Sequence, residues 1–217
     1  GKYLFIAENV PSLGYKTFTI AGEKGVPSES RLTQNKISEN SFYRVTLDTE
    51  KNVIASIFDK SLQQELLDGS SPYQLGEYLY YDHDTHTLNR ASFTDISLYH
   101  GEIVDEIHLT QDTPDTAYAR LVIYVYHPLK RIDFDLQVDK LSNGTKLNTY
   151  MPLQRPAKEA IFCALPFSVP DFRIHHELSG AVAEPTVNQF AGSETAFYAI
   201  QHWTDVSNSD YGITLCP

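Results

Sequence analysis

The sequence has only two cysteines, Cys163 and Cys216, in 217 residues. That excludes a disulfide-built scaffold and a cysteine-ligated metal site, and it points to a reduced, cytoplasmic setting. No run approaches the roughly eighteen consecutive apolar residues a helix needs to cross a bilayer. The opening Gly1-Lys2-Tyr3-Leu4-Phe5-Ile6-Ala7 has too short an apolar core for a signal peptide. It does not start with Met, so the chain reads as an internal fragment. Basic residues are scarce too. Lys and Arg number 17 against 28 Asp and Glu, giving a net charge of −11. A field of that sign repels phosphate backbones and anionic lipid. The longest basic run is Lys130-Arg131, so neither nucleic acid nor membrane is an expected partner. A homo-oligomer is compatible with this composition. The sequence also lacks a Gly-x-Ser-x-Gly elbow, a phosphate-cradling glycine loop, a His-Glu-x-x-His pair and a dinucleotide fingerprint.

What is present is period-two patterning. Ile132, Phe134, Leu136 and Val138 alternate with Asp133, Asp135, Gln137 and Asp139, describing a strand with one buried and one wet face. The β-branched and aromatic run Leu121–Tyr126 precedes it across a hairpin loop, His127–Lys130. Phe42–Leu47 and Val53–Phe58 flank a second hairpin, Asp48–Asn52. Further strands are expected at Tyr15–Ile20, Gln74–Tyr81, Ile103–Leu109, Ile161–Phe167, Phe197–Trp203 and Gly212–Cys216. Ser61–Asp68 carries Leu62 and Leu66 at helical spacing, but for two turns at most. The pattern predicts an all-β antiparallel fold with little helix. Gly, Pro, Ser and charge dominate residues 21–30. A short strand pair over 1–22, a linker over 23–36 and a main domain over 37–217 are therefore expected. The single sequon, Asn143-Gly144-Thr145, reads equally well as a turn.

Several clusters could carry chemistry. Asp82-His83-Asp84-Thr85-His86 has the donor types of a zinc site, yet it follows a strand and reads as a solvated polar loop. His175-His176-Glu177 offers an acid–base pair, His176 with Glu177. On a strand its two imidazoles face opposite sides and cannot both line one pocket. Trp203 is the only tryptophan; its flat face suits the C–H face of a pyranose, though core packing is the commoner use. Asp205 follows two residues later as a hydroxyl acceptor. Fourteen tyrosines, each with an apolar body and a polar tip, also suit sugars. The expected carbohydrate-contact residues are His176, Glu177, Trp203 and Asp205, with no catalytic or metal-binding residue nominated.

The segments Val10-Pro11-Ser12-Leu13-Gly14-Tyr15, Glu39–Val45, Ile54–Lys60 and His202-Trp203-Thr204-Asp205-Val206-Ser207 with Tyr211–Leu215 resemble glycoside hydrolase family 38, the α-mannosidases, in the region after the catalytic barrel. The resemblance implies a galactose-mutarotase-like β-supersandwich, truncated at its C-terminus. It also implies a partner, the upstream catalytic domain of the same polypeptide, which holds the family's zinc and its aspartate nucleophile. His83 and Asp84 are adjacent with no Trp following, so the zinc site is not carried over. No cofactor is expected in this chain, and alone it should not hydrolyse glycosides. The expected role is to support the barrel and line a carbohydrate cleft in mannose metabolism. Two alternatives stand beside it. One is an aldose epimerase using His176 with Glu177 or His202 with Asp205. The other is a carbohydrate-binding module.

Overall fold

The computed structural model describes residues 5–19, 31–82, 85–113, 116–140, 159–178, 180–185, 187, 190–192, 200 and 202–216. Among them are sixteen strands and no helix. The first eight are β1 (Arg31–Thr33), β2 (Ile37–Glu39), β3 (Tyr43–Asp48), β4 (Val53–Asp59), β5 (Gln64–Glu65), β6 (Tyr78–Asp82), β7 (Thr87–Arg90) and β8 (Ser92–His100). The rest are β9 (Val104–Asp112), β10 (Thr116–Tyr126), β11 (Ile132–Lys140), β12 (Glu159–Cys163), β13 (Arg173–Leu178), β14 (Ala181–Ala183), β15 (Thr204–Ser207) and β16 (Gly212–Leu215). The chain divides into two compact units, one of residues 1–64 with 72–165 and one of 65–71 with 166–217.

The larger unit is built on a five-stranded antiparallel sheet in the order β1-β8-β9-β10-β11. Alternation decides its faces. Ile123 on β10 sits opposite Ile107 on β9 and Phe134 on β11. Ile107, Leu109, Leu121, Ile123 and Val125 are all at most 1% exposed. Val45 and Ile57, from the sheet β2-β3-β4-β5, are buried as completely. Polar ties hold the sheets in register. The Ser38 hydroxyl on β2 donates to the buried Asp105 carboxylate on β9 over 2.7 Å, and His100 and His127 each reach its other oxygen at 3.0 Å. A buried carboxylate is tolerated only when so satisfied. A third sheet, β12-β6-β7, completes the unit.

The smaller unit carries the antiparallel sheet β14-β13-β15-β16. Its two segments are joined by a bridge between Leu67 and Phe167, with Asp68 N donating to Pro166 O and Ser168 N to Leu66 O, each over 2.8 Å.

The all-β antiparallel sandwich is the fold expected from the alternation. Two local expectations come out differently, and the Ser61–Asp68 segment, where no convincing helix is expected, is a turn and a short strand. Residues 5–19, inside the expected strand pair, form turns without a strand; the Phe5 and Phe18 rings meet at 5.2 Å. The expected linker over 23–36 ends in strand β1, paired with β8; three residues are too few to print a period. Ser61–Asp68 is not helical. The Asp59 carboxylate takes the Ser61 and Leu62 amides in a side-chain turn, and Gln63 then adopts a left-handed φ of 54°, which ends any helix. The sequon, the linker core and most of the expected strand Phe197–Trp203 lie outside the described residues.

Candidate functional site

The residues singled out for carbohydrate contact fall on the sheet of the smaller unit, and pairing decides which face each occupies. His175 stands opposite Asp205, and Asp205 opposite Thr214, in one row across β13, β15 and β16. His176 stands opposite Thr204. Successive strand residues point to opposite faces, so His175, Glu177, Asp205 and Thr214 share one face. His176 shares the other with Ile174, Val206 and Ile213.

On the first face, His175, Val182, Trp203, Asp205, Thr214 and Cys216 line an open hollow of about 500 Å³. Among the described residues that line it, Asp205 is the only carboxylate, and both its oxygens are engaged. Thr214 Oγ1 donates to one over 2.8 Å and Ser207 Oγ to the other over 2.5 Å. Gly212 makes this possible, because a Cβ there would lie 2.5 Å from the Ser207 Cβ. Trp203 is half-buried, presenting part of its ring to the hollow. The His175 imidazole makes no hydrogen bond among the described residues. Glu177 flanks the site: its amide donates to Trp203 O over 3.1 Å, and its carboxylate lies 3.0 Å from His202 Nδ1.

His176 does not reach this hollow. Its Nδ1 lies 2.9 Å from the hydroxyl of buried Thr204, and burial lowers its pKa below the ordinary histidine value. The sequence nominated His176 over His175 with no means of telling them apart. Fixing the register against Asp205 is what distinguishes them, and Thr214 enters by the same pairing.

The Asp82–His86 segment is described in part. His86 adopts a φ of 56°, its Nδ1 lies 3.2 Å from Tyr81 OH, and the Thr85 amide donates to Asp82 over 3.2 Å. His83 and Asp84 lie outside the described residues. Among the described residues, no group of three or more His, Cys, Asp or Glu side chains is placed to hold a metal ion.

The hollow therefore offers an indole face with apolar Val182 beside it, one fixed carboxylate, a hydroxyl and an open imidazole. That set can grip a polyol, whose rings are apolar on one face and hydroxylated at the edge. Among the described residues the hollow's lining holds one carboxylate, where cleavage of a glycosidic bond usually takes two. Fold and hollow together describe an antiparallel β domain with a hollow walled by one indole, one carboxylate and one imidazole. Residues 38–217 match the family model described as the glycosyl hydrolases family 38 C-terminal domain, and the chain belongs to that family. No curated protein is similar enough to count as a match.

Proposed function

We propose that this chain is the non-catalytic β domain of an α-mannosidase-like glycoside hydrolase, supporting an upstream catalytic barrel and contacting the glycan through the hollow at Trp203. The observation that carries the reading is the junction of Trp203 with an immobilised carboxylate, Asp205, in a chain of this family. A carboxylate already accepting two hydroxyl hydrogen bonds is held in one position. It still has lone pairs free to accept from a sugar hydroxyl. Zinc and the nucleophile are assigned to the barrel, and the setting to the cytoplasm.

Trp203 is the sole tryptophan, so its fluorescence reports on the hollow directly. Titration with mannobiose should change that emission saturably, with Kd in the millimolar range that about 4 kcal/mol of contact provides. The chain alone should leave an aryl α-mannoside intact with or without added zinc. Turnover by the chain would overturn the non-catalytic role, and emission unmoved by mannobiose would overturn the sugar contact.

One observation favours a second reading, an aldose epimerase. His202 and Glu177 form an imidazole–carboxylate pair at 3.0 Å on the exposed side of the sheet, the acid–base pair that ring opening requires. Polarimetry on galactose and glucose decides it: acceleration abolished by His202→Ala supports the epimerase, and an unchanged rate removes it.

A further inference from the structure

The outward face of the five-stranded sheet in the larger unit has a composition that packing does not require. Pairing across β8, β9, β10 and β11 lays its side chains out in rows. Asp95, Thr110, Arg120 and Gln137 form one row, and Ser97, His108, Val122 and Asp135 the next. Tyr99, Glu106, Tyr124 and Asp133 form the third. A chain of contacts runs through the centre. Arg120 Nη2 donates to His108 Nδ1, so the other ring nitrogen carries the proton and donates to Glu106 Oε2 over 3.0 Å. The Tyr99 ring lies against the imidazole with centroids 4.6 Å apart. Burial lowers the His108 pKa, in keeping with the neutral ring that this arrangement needs.

The chain of contacts holds Arg120 in place without neutralising it. Among the described residues the guanidinium has no carboxylate partner, which is unusual in a protein of net charge −11. Its remaining N–H donors are open. The Tyr99 and Tyr124 hydroxyls likewise make no hydrogen bond among the described residues. Burial first, then the charges of Glu106 and Asp135, raises the Tyr124 pKa, keeping the phenol a donor. The face thus combines fixed open donors with the carboxylate acceptors Asp95, Glu106 and Asp135, the last also accepting from Gln137 over 2.8 Å.

We propose that this face is a second carbohydrate-binding surface, taking a neutral oligosaccharide laid along β10 between Arg120 and Tyr124. An anionic chain would gain Arg120 but meet the repulsion of Asp95 and Asp135, whereas Asp133 is paired with Arg131 at 2.6 Å. Vicinal hydroxyls accept from the guanidinium and donate to the carboxylates in one geometry, which a simple anion cannot do. Arg120 and Tyr124 are four residues apart, roughly 13 Å along the strand, and the rows span roughly 14 Å across the strands. That is room for about two to three sugar rings. The surface shares no residue with the lining of the Trp203 hollow and does not depend on mannosidase specificity.

The test is calorimetric titration of the whole chain, carrying Trp203→Ala to silence the hollow, with mannotriose, galactotriose, cellotriose and, as the anionic comparison, trigalacturonate. At least one neutral trisaccharide should bind at about 10 mM or below, the range of weak surface sites. Arg120→Gln and Tyr124→Phe should each weaken that binding tenfold or more. The second variant keeps the aromatic ring and so decides the matter if the first disturbs folding. The proposal is overturned if no neutral trisaccharide binds, if Tyr124→Phe binds as tightly as its parent, or if trigalacturonate binds most tightly. Trp203 emission in the unaltered chain reads the hollow alone, so failure at one surface leaves the other standing.

Discussion

Replacing Gly76 by alanine tests the packing argument at a single atom. Gly76 has a φ of 73°, a left-handed conformation that costs a residue with a Cβ about 1 kcal/mol or more. An added Cβ would lie 2.1 Å from Leu121 Cδ2, far inside contact distance. Neither partner can retreat cheaply. The backbone is pinned on both sides, Gly76 N donating to Ala164 O over 2.7 Å and Gly76 O accepting from the buried Gln111 side chain over 2.8 Å. Leu121 is 1% exposed on β10, flanked by β9 and β11, so moving it forces neighbours off their rotamers, at about 1–3 kcal/mol. Together Gly76→Ala should destabilise by about 3 kcal/mol, lowering Tm by roughly 6–12 °C for a chain of this size. The assay is urea and thermal unfolding followed by far-ultraviolet circular dichroism. Leu121→Ala alone should cost about 2–5 kcal/mol through the cavity it leaves. The double variant should cost less than the two singles combined by about 1–2 kcal/mol, because the overlap disappears. A Gly76→Ala loss under about 0.5 kcal/mol, the level of a neutral surface change, or a strictly additive pair, would refute the reasoning.

Arg90→Met should destabilise the larger unit by about 2 kcal/mol. It strands the Glu77 carboxylate, which is 2% exposed and held by the guanidinium fork at 2.5 and 2.8 Å. The figure is below the 3–5 kcal/mol of a fully buried pair because Arg90 itself is half exposed. Equilibrium unfolding should show part of the loss recovered when Glu77→Gln is added. Stability should also fall with acid in two steps. Burial depresses the His108 and His176 pKa values, so the unfolded chain takes up their protons first. The stability they contribute is present above about pH 6.5, their unfolded value, and is lost as pH falls through the lower folded values. Burial would raise the Asp59 carboxyl, but Lys130 at 2.8 Å, the Leu62 and Ser61 amides and the Ser61 hydroxyl outweigh it and hold the pKa below the ordinary carboxylate range. Its contribution is present above the unfolded value of about 3.9 and is lost on further acidification. Urea midpoints from pH 8 to pH 3 measure both limbs; Asp59→Asn should flatten the lower, and a lower limb unchanged by it would disprove the assignment.

The fold was legible wherever one face of a strand is buried and the other wet. Ile132–Val138 alternates so strictly that strand, face and hairpin partner follow from the pattern alone. Legibility failed where side chains rather than periodicity fix the backbone. Asp59 caps a turn over residues spaced like a helix, and β1 is recognised only by its pairing with β8. The candidate site was half legible for the same reason. Trp203 and Asp205 stand out by residue type. Choosing between adjacent His175 and His176 needs the register of β13 on β15, which is a long-range fact. The rows of the outward face at Arg120 are assembled from four strands, and each strand's own alternation shows its wet side but says nothing of its neighbours.

The carboxylates of both units follow a common pattern that bears on what the domain does. Asp205 is held by two hydroxyls, Glu177 by His202, Glu106 by His108, Glu77 by Arg90 and Asp59 by Lys130. A glycosidase built on two carboxylates needs one poised as a proton donor, which requires raising its pKa by apolar surroundings or a like charge. These acids are each matched with donors, which fixes their positions. Such carboxylates suit hydroxyl recognition, since an immobile acceptor loses no conformational freedom when a sugar arrives. In the proposed role these placed carboxylates contact sugar hydroxyls. By this logic Asp205→Asn should weaken mannobiose binding in the Trp203 fluorescence titration while changing the urea midpoint little, because the amide oxygen still accepts one hydroxyl bond. A loss of stability with binding unchanged would show that Asp205 serves the sheet alone.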